Sequence, residues 1–144
     1  MTFNAFTLQL TQYISENHPE RIEDKEFIRQ RGENALAVYV GCSRQGMSVE
    51  ESTREANEVL YQGLHFSPYR MIADIVETHC SHLPLSEEGR HVLAMTILHM
   101  SKDVLAEAYT PATADTFEGS YGYHRARTQI KRIMNKYLYD NGLQ

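Results

Sequence analysis

The sequence predicts an all-α fold, and two observations predict it. Apolar residues recur with the 3.6-residue period of a helix along the whole chain, and no segment alternates apolar and polar residues between hairpin turns. The chain has 144 residues, of which 42% are hydrophobic, and this suits one domain with a real core. We therefore expect a compact single-domain bundle of about six helices over residues 1–144.

Three helices are predicted in the first half of the chain. The first carries an apolar stripe made of Phe3, Phe6, Leu10, Tyr13 and Ile14. It stops before Pro19, because the residue that precedes a proline avoids the α region. The second helix begins near Asp24, a good N-cap, and is expected to end at Gly41. The third starts at Ser48, which has a glutamate three residues later in capping-box spacing, and it runs toward Gly63.

Two more helices precede the basic end of the chain. Ser67–Pro68 starts the fourth, since proline is favoured at the first helical position after an N-cap. Ser86 starts the fifth, followed by two glutamates that the helix dipole favours. The fifth helix is expected to end before Pro111. Because it is apolar nearly all round from Val92 to Met100, we expect it to be the buried centre of the bundle.

Charge and cysteine content argue against several classes of protein. Nineteen acids against fourteen Lys and Arg give a net charge of −5, which opposes affinity of the whole surface for nucleic acid or anionic lipid. No window approaches the roughly 18 apolar residues of a membrane span. No positively charged region precedes an apolar run, and two cysteines make no disulfide framework. We expect a cytoplasmic protein with no membrane partner.

The stretch ETHCSHLP, residues 77–84, contains the candidate metal ligands. His79 and His82 are three residues apart and so would share one helix face, and a short connection would bring His91 near them. Three ligands with an open fourth position are typical of catalytic zinc, so a metal-dependent enzyme using His79, His82 and His91 is one hypothesis. The other interpretation, which we favour, is the end of a helix, where histidines interact well with exposed carbonyls.

We predict neither a cofactor nor catalytic residues. The phosphate-binding glycine motifs and the GxSxG elbow are absent from the sequence. Cys42 and Cys80 both fall at predicted helix C-termini, where the dipole disfavours a thiolate. The pattern favours an interaction module over an enzyme.

The last predicted helix, from about Tyr123 to Tyr139, is strongly basic. Its cations are Arg125, Arg127, Lys131, Arg132 and Lys136. Residues 119–139 contain no acid, which leaves nine cations against nineteen acids, or −10, in the rest of the chain. Tyr121 and Tyr123 lie just upstream of these cations in a glycine-bearing loop, at the end of the long connection 110–122, where nucleic-acid bases could stack.

Three interpretations of this basic helix stay open. It binds an acidic protein or a second copy of the chain, it binds nucleic acid, or its cationic stems cover apolar surface with no partner. We predict a protein partner or homo-oligomer, with a nucleic-acid-binding accessory protein as the alternative.

Two segments carry a resemblance to a known family. NHPERIEDKEFIRQR (residues 17–31) and EANEVLYQGLHFSPY (residues 55–69) resemble short domain-of-unknown-function proteins of Bacteroidetes, often encoded among mobile-element genes. The spacing of Gly63, Leu64, Phe66, Ser67 and Tyr69 is the most specific part. The resemblance implies a small all-helical domain with no assigned activity or cofactor, in a genomic setting that favours a role near DNA transactions.

Overall fold

The structure, a computed structural model, describes residues 4–143, and within them it contains seven α-helices and no β-strand. The helices are α1 (Ala5–Asn17), α2 (Lys25–Arg44), α3 (Val49–Leu60), α4 (Pro68–His79), α5 (Glu87–Met100), α6 (Lys102–Ala108) and α7 (Tyr121–Asp140). Short 3₁₀ turns lie at Pro19–Arg21 and Ala114–Thr116. The all-α prediction is confirmed. None of the helices in residues 4–143 is both long enough and apolar enough to cross a membrane.

Side-chain caps start most of the helices where the sequence predicts them. The side chain of Asp24 accepts from the backbone N–H of Phe27, and Ser48, Ser67 and Ser86 each accept from the N–H three residues further on. Such a cap satisfies one of the N–H groups that a helix leaves unpaired at its start. The predicted stripe residue Phe3 lies outside the described residues.

Internal contacts divide the chain into two compact units, the first ending at His65 and the second beginning at Phe66. The prediction of one domain over residues 1–144 stays a prediction.

In the first unit α2 packs against both α1 and α3. The core consists of Leu10, Ile14, Ile28, Ala35, Ala56, Leu60 and Leu64. Gly32 lies where α1 meets α2: a Cβ there would stand 2.1 Å from Oγ1 and 2.9 Å from Cα of Thr7. The sequence places a glycine at this position because no side chain fits between the two helices.

Polar side chains from α1, from its C-cap His18 and from α2 hold the end of α3 and the turn that follows it. The carbonyl oxygen of Leu64 accepts from the hydroxyl of Tyr13 at 2.9 Å and from Nε2 of His18 at 2.8 Å. Arg31 Nη1 donates to the carbonyls of Val59, Leu60 and Gln62 at 3.3, 3.2 and 2.6 Å. The last carbonyls of a helix lack intrahelical partners and carry its negative dipole end, so a guanidinium stabilises them.

In the second unit α7 packs against α4, α5 and α6, and α4 packs against α5. The core includes Ile72, Ile75, Val76, Ala94, Ile97, Ile130 and Met134. At one end Phe66, Tyr109, Phe117 and Tyr123 form an aromatic cluster with ring centroids 4.8–6.0 Å apart. Edge-to-face pairs of this kind stabilise a core beyond the area they bury.

Two helix ends differ from the predictions. α2 continues past Gly41 to Arg44, and the glycine with left-handed backbone is Gly46, at φ 86°. Gly41 is an exposed interior position of the helix, so it does not mark an end. α7 begins at Tyr121, two residues before the predicted start, because Ser120 accepts from the N–H of Tyr123.

The fifth predicted helix is wrong in two respects. The chain turns at Ser101, where φ is −98° and ψ 8°, and its N–H bonds the carbonyl of Leu98 in a tighter turn, so α5 ends and α6 follows. Val92 and Met100 are exposed, so α5 is not buried all round. A unit this small cannot surround a helix, and much of a folded protein's surface is apolar anyway.

Candidate macromolecule-binding surface

α7 has a buried face and an exposed face with different chemistry. The buried face is formed by Ala126, Ile130, Met134 and Leu138. The exposed face carries Tyr121, Arg125, Arg132, Lys136 and Tyr139, which we call the α7 stripe. At 100° per residue these five positions fall within about 60° of one another, and they span about 27 Å of helix. The packing that anchors α7 therefore also fixes a straight row of exposed tyrosine and cationic side chains.

Two of the five predicted cations of this helix are neutralised by nearby acids. Arg127 Nη2 lies 2.8 Å from Oδ2 of Asp74 on α4, and Lys136 Nζ lies 2.8 Å from Oδ2 of Asp140. The hydrogen bond to Asp140 raises the pKa of Lys136. Within residues 4–143 the other three predicted cations, Arg125, Lys131 and Arg132, form no ion pair.

The tyrosines do not lie where the sequence predicts. Tyr121 is 82% exposed and belongs to α7 itself. Tyr123 is half-buried and packs in the aromatic cluster against Phe66 and Phe117. Tyr139, which is not among the candidates found from the sequence, is 69% exposed at the other end of the stripe. It follows Tyr121 by five helical turns, and that spacing was the signal that could have found it.

A groove between α6 and α7 adjoins the first end of the stripe. It has a volume of about 230 Å³ and is lined by Val104, Glu107, Ala108, Tyr121, Gly122, Arg125, Ala126 and Gln129. Tyr121 and Arg125 belong to both the groove and the stripe. The exposed surface at this end is therefore concave, and one guanidinium, that of Arg125, and one carboxylate, that of Glu107, line it.

The three predicted metal ligands are not brought together. α4 ends at His79 with Cys80 as its C-cap, so the stretch 77–84 is a helix end, as favoured from the sequence. His79 and His82 are exposed, while His91 Nδ1 lies 2.6 Å from the hydroxyl of Tyr69. No three His, Cys, Asp or Glu residues in the described part of the chain are grouped so that they could hold a metal ion.

Cys80 behaves as a small apolar side chain. It is 2% exposed and its Sγ lies 3.7 Å from Sδ of Met134. Burial raises the pKa of the Cys80 thiol, which disfavours the thiolate needed for nucleophilic attack. The geometry supports a packing role for this residue.

A second concave surface lies between α4 and α5, and we call it the acidic cleft. It has a volume of about 640 Å³ and is lined by Tyr69, Ala73, Glu77, Glu87, Glu88, Arg90 and His91. Three carboxylates and one guanidinium line it. The Tyr69–His91 hydrogen bond links the two helices across the cleft.

The fold and its surfaces define the class: a small all-α domain with an exposed tyrosine and cation row and, in residues 4–143, no grouped metal ligands. The chain belongs to the family described as Domain of unknown function (DUF1896), which matches residues 1–143. The crystal structure of protein PG0816 from Porphyromonas gingivalis is similar: 31% of residues are identical, 96% of this chain and 91% of that chain are covered, and the TM-score is 0.81. No curated protein matches the sequence.

These findings confirm the predicted resemblance to a Bacteroidetes domain of unknown function. The association with mobile-element genes stays a prediction. The two segments that carry the resemblance have a structural role, because His18 and Arg31 of the first hold the end of α3 that the second supplies. Gly63 has φ 78° there, a backbone conformation that glycine adopts readily.

Proposed function

We propose that this domain is an interaction module that binds an acidic protein partner through the α7 stripe. The observation that carries the proposal is that two exposed tyrosines, Tyr121 and Tyr139, share one face of a well-anchored helix with Arg125 and Arg132. Within residues 4–143 the guanidinium groups of these two arginines form no ion pair. Tyrosine and arginine are among the residue types enriched at the energetic centres of protein interfaces. A rigid helix presents them at a small entropic cost, since only side chains need to be ordered on binding.

Magnitudes favour protein over nucleic acid. With Arg127 and Lys136 paired, about three cations remain to neutralise phosphates, so the logarithm of the affinity would fall with the logarithm of salt with a slope of only about −2.7. Exposed ion pairs each contribute about 0.2–1 kcal/mol. A tyrosine that fills a partner's pocket contributes about 2 kcal/mol or more. A base stacked on an exposed tyrosine also contributes about 1–3 kcal/mol, so the small number of available cations is what disfavours nucleic acid.

Site-specific crosslinking in the native host tests the proposal. The photoreactive residue p-benzoyl-phenylalanine is placed at Tyr121 or at Tyr139, with Val92, exposed on α5, as the matched control position. We expect the same protein adduct from both stripe positions, none from position 92, and loss of the adduct in the background R125E/R132E.

Two outcomes contradict the proposal. Absence of any adduct from positions 121 and 139 would show that the stripe does not contact a partner. Adducts whose added mass is lost on nuclease treatment would assign the surface to nucleic acid instead. After protease treatment such adducts would retain only short peptides of this chain.

A further inference from the structure

We propose that a second copy of this chain is a partner of the α7 stripe, and that the stripe of one copy docks in the acidic cleft of the next. This inference rests on the proposed function and names the partner. Both surfaces belong to the second unit, which begins at Phe66.

The acidic cleft has the chemistry that the stripe requires. Glu77, Glu87 and Glu88 are exposed and form no ion pair within the described chain, and Arg90 is the one cation that lines the cleft. The volume of about 640 Å³ leaves room for more than one arginine head. Carboxylates bind guanidinium groups in bidentate pairs.

The charge of the second unit is divided between its elements. Residues 66–118 contain eight acids and three Lys or Arg, whereas residues 119–139 contain five Lys or Arg and no acid. Four of these acids, Asp74, Glu77, Glu87 and Glu88, lie on α4 and α5, together with two arginines. Copies of the unit therefore offer each other opposite charges on different helices, α4 and α5 in one copy and α7 in the other. Complementary potentials of this kind steer association and fix its register.

A competing acidic surface is less complementary. A cleft of about 590 Å³ along α3 is lined by Glu50, Glu58 and Arg54 among other residues, so its carboxylates outnumber its cation by one rather than by two. Its remaining lining is more apolar, with Val49 exposed. The cleft between α4 and α5 is therefore the better match for the α7 stripe.

The proposed contact joins two different surfaces and is heterologous. Each contact uses the stripe of one copy and the cleft of the next, so the first copy keeps a free cleft and the second keeps a free stripe. Further copies therefore add until the assembly closes as a ring, or they continue as an open chain. Mutations of the two surfaces should therefore complement each other when the variants are mixed.

The test uses sedimentation velocity and light scattering on the full chain at about 50 and 200 mM salt, a range over which exposed charge pairs become strongly screened. We expect the wild type to exceed the monomer mass of 16.6 kDa at low salt and to return toward it at high salt. The stripe variant R125A/R132A and the cleft variant E87Q/E88Q should each stay monomeric. Their equimolar mixture should give a species of two chains, since the first retains its cleft and the second its stripe.

A matched control is E50Q/E58Q, which removes two carboxylates from the α3 cleft and should associate like the wild type. Circular dichroism confirms that each variant is folded. Three outcomes would each overturn this inference. The wild type is monomeric at low salt, the mixture of the two variants stays monomeric, or association is lost in E50Q/E58Q but not in E87Q/E88Q. A monomeric wild type that still crosslinks from Tyr121 to a different protein overturns the second copy alone. Absence of crosslinks as well overturns the proposed function too.

Discussion

The contact of α1 with α2 at Gly32 allows a sharp prediction about stability. In Gly32→Ala the new Cβ would meet Thr7 at Oγ1 (2.1 Å), Cα (2.9 Å) and Cβ (3.0 Å). Rotation of the Thr7 hydroxyl relieves the first of these contacts, but the backbone contact requires the two helices to separate. Overpacking of this kind costs about 1–3 kcal/mol, and we take the upper value because a backbone atom is involved. Alanine regains about 1 kcal/mol of helix propensity, which leaves a net loss of about 2 kcal/mol.

Gly41 is the matched control, because it lies in the same helix and a Cβ there meets nothing within 4 Å. Gly41→Ala should raise the free energy of unfolding by about 0.5–1 kcal/mol. Urea denaturation followed by circular dichroism measures both variants. At a slope of about 2 kcal/mol per molar urea, Gly32→Ala should lower the midpoint by about 1 M and Gly41→Ala should raise it slightly. If both variants shift the midpoint upward together, the close contact at Thr7 does not exist and the reasoning fails.

Three further predictions concern polar groups that are buried or half-buried. Arg31→Met keeps an apolar stem but loses the hydrogen bonds to the end of α3. Urea denaturation should therefore show a free energy of unfolding that is lower by about 1.5–3 kcal/mol. An unchanged midpoint would contradict the capping role. Ser52 is fully buried, and its hydroxyl has no hydrogen-bond partner in residues 4–143. Ser52→Ala should therefore raise the free energy of unfolding by about 1–2 kcal/mol in the same assay. A lower free energy of unfolding would show that the hydroxyl does form a stabilising hydrogen bond. Because burial raises the pKa of Cys80 in the folded state, its contribution to stability is complete below the unfolded pKa of about 8.5 and is lost as pH rises through the folded pKa. Melting temperatures of Cys80→Ala should therefore fall less steeply above pH 8.5 than those of the wild type, and parallel curves would refute this.

Helix starts could be predicted from the sequence because capping is local. Ser48, Ser67 and Ser86 each bond a backbone N–H only three residues away, so the signal lies within one short window. The turn at Ser101 could not be predicted, since no proline or glycine marks it and the apolar pattern continues on both sides. The continuation of α2 past Gly41 has a related cause: an exposed glycine is tolerated inside a helix when packing on the other face holds it.

The candidate surface was only partly predictable. The cations of α7 are visible in the sequence, but the partner of Arg127 lies 53 residues away, and long-range pairing leaves no local trace. Tyr121 and Tyr123 look equivalent if they belong to a loop. Once the helix begins at Tyr121, they lie about 160° apart around its axis, so one side chain is exposed while the other packs in the core.

The division of the core at His65 and Phe66 has a consequence for synthesis. The first core uses residues up to Leu64 and the second uses residues from Phe66 onward, so each is complete within one uninterrupted stretch of chain. Contacts between residues close in sequence form quickly, because little chain entropy is lost in closing short loops. The ribosome adds residues one at a time, and N-terminal units generally fold first. The amino-terminal helices can therefore bury their apolar side chains while the basic helix that we assign to partner binding is still being translated.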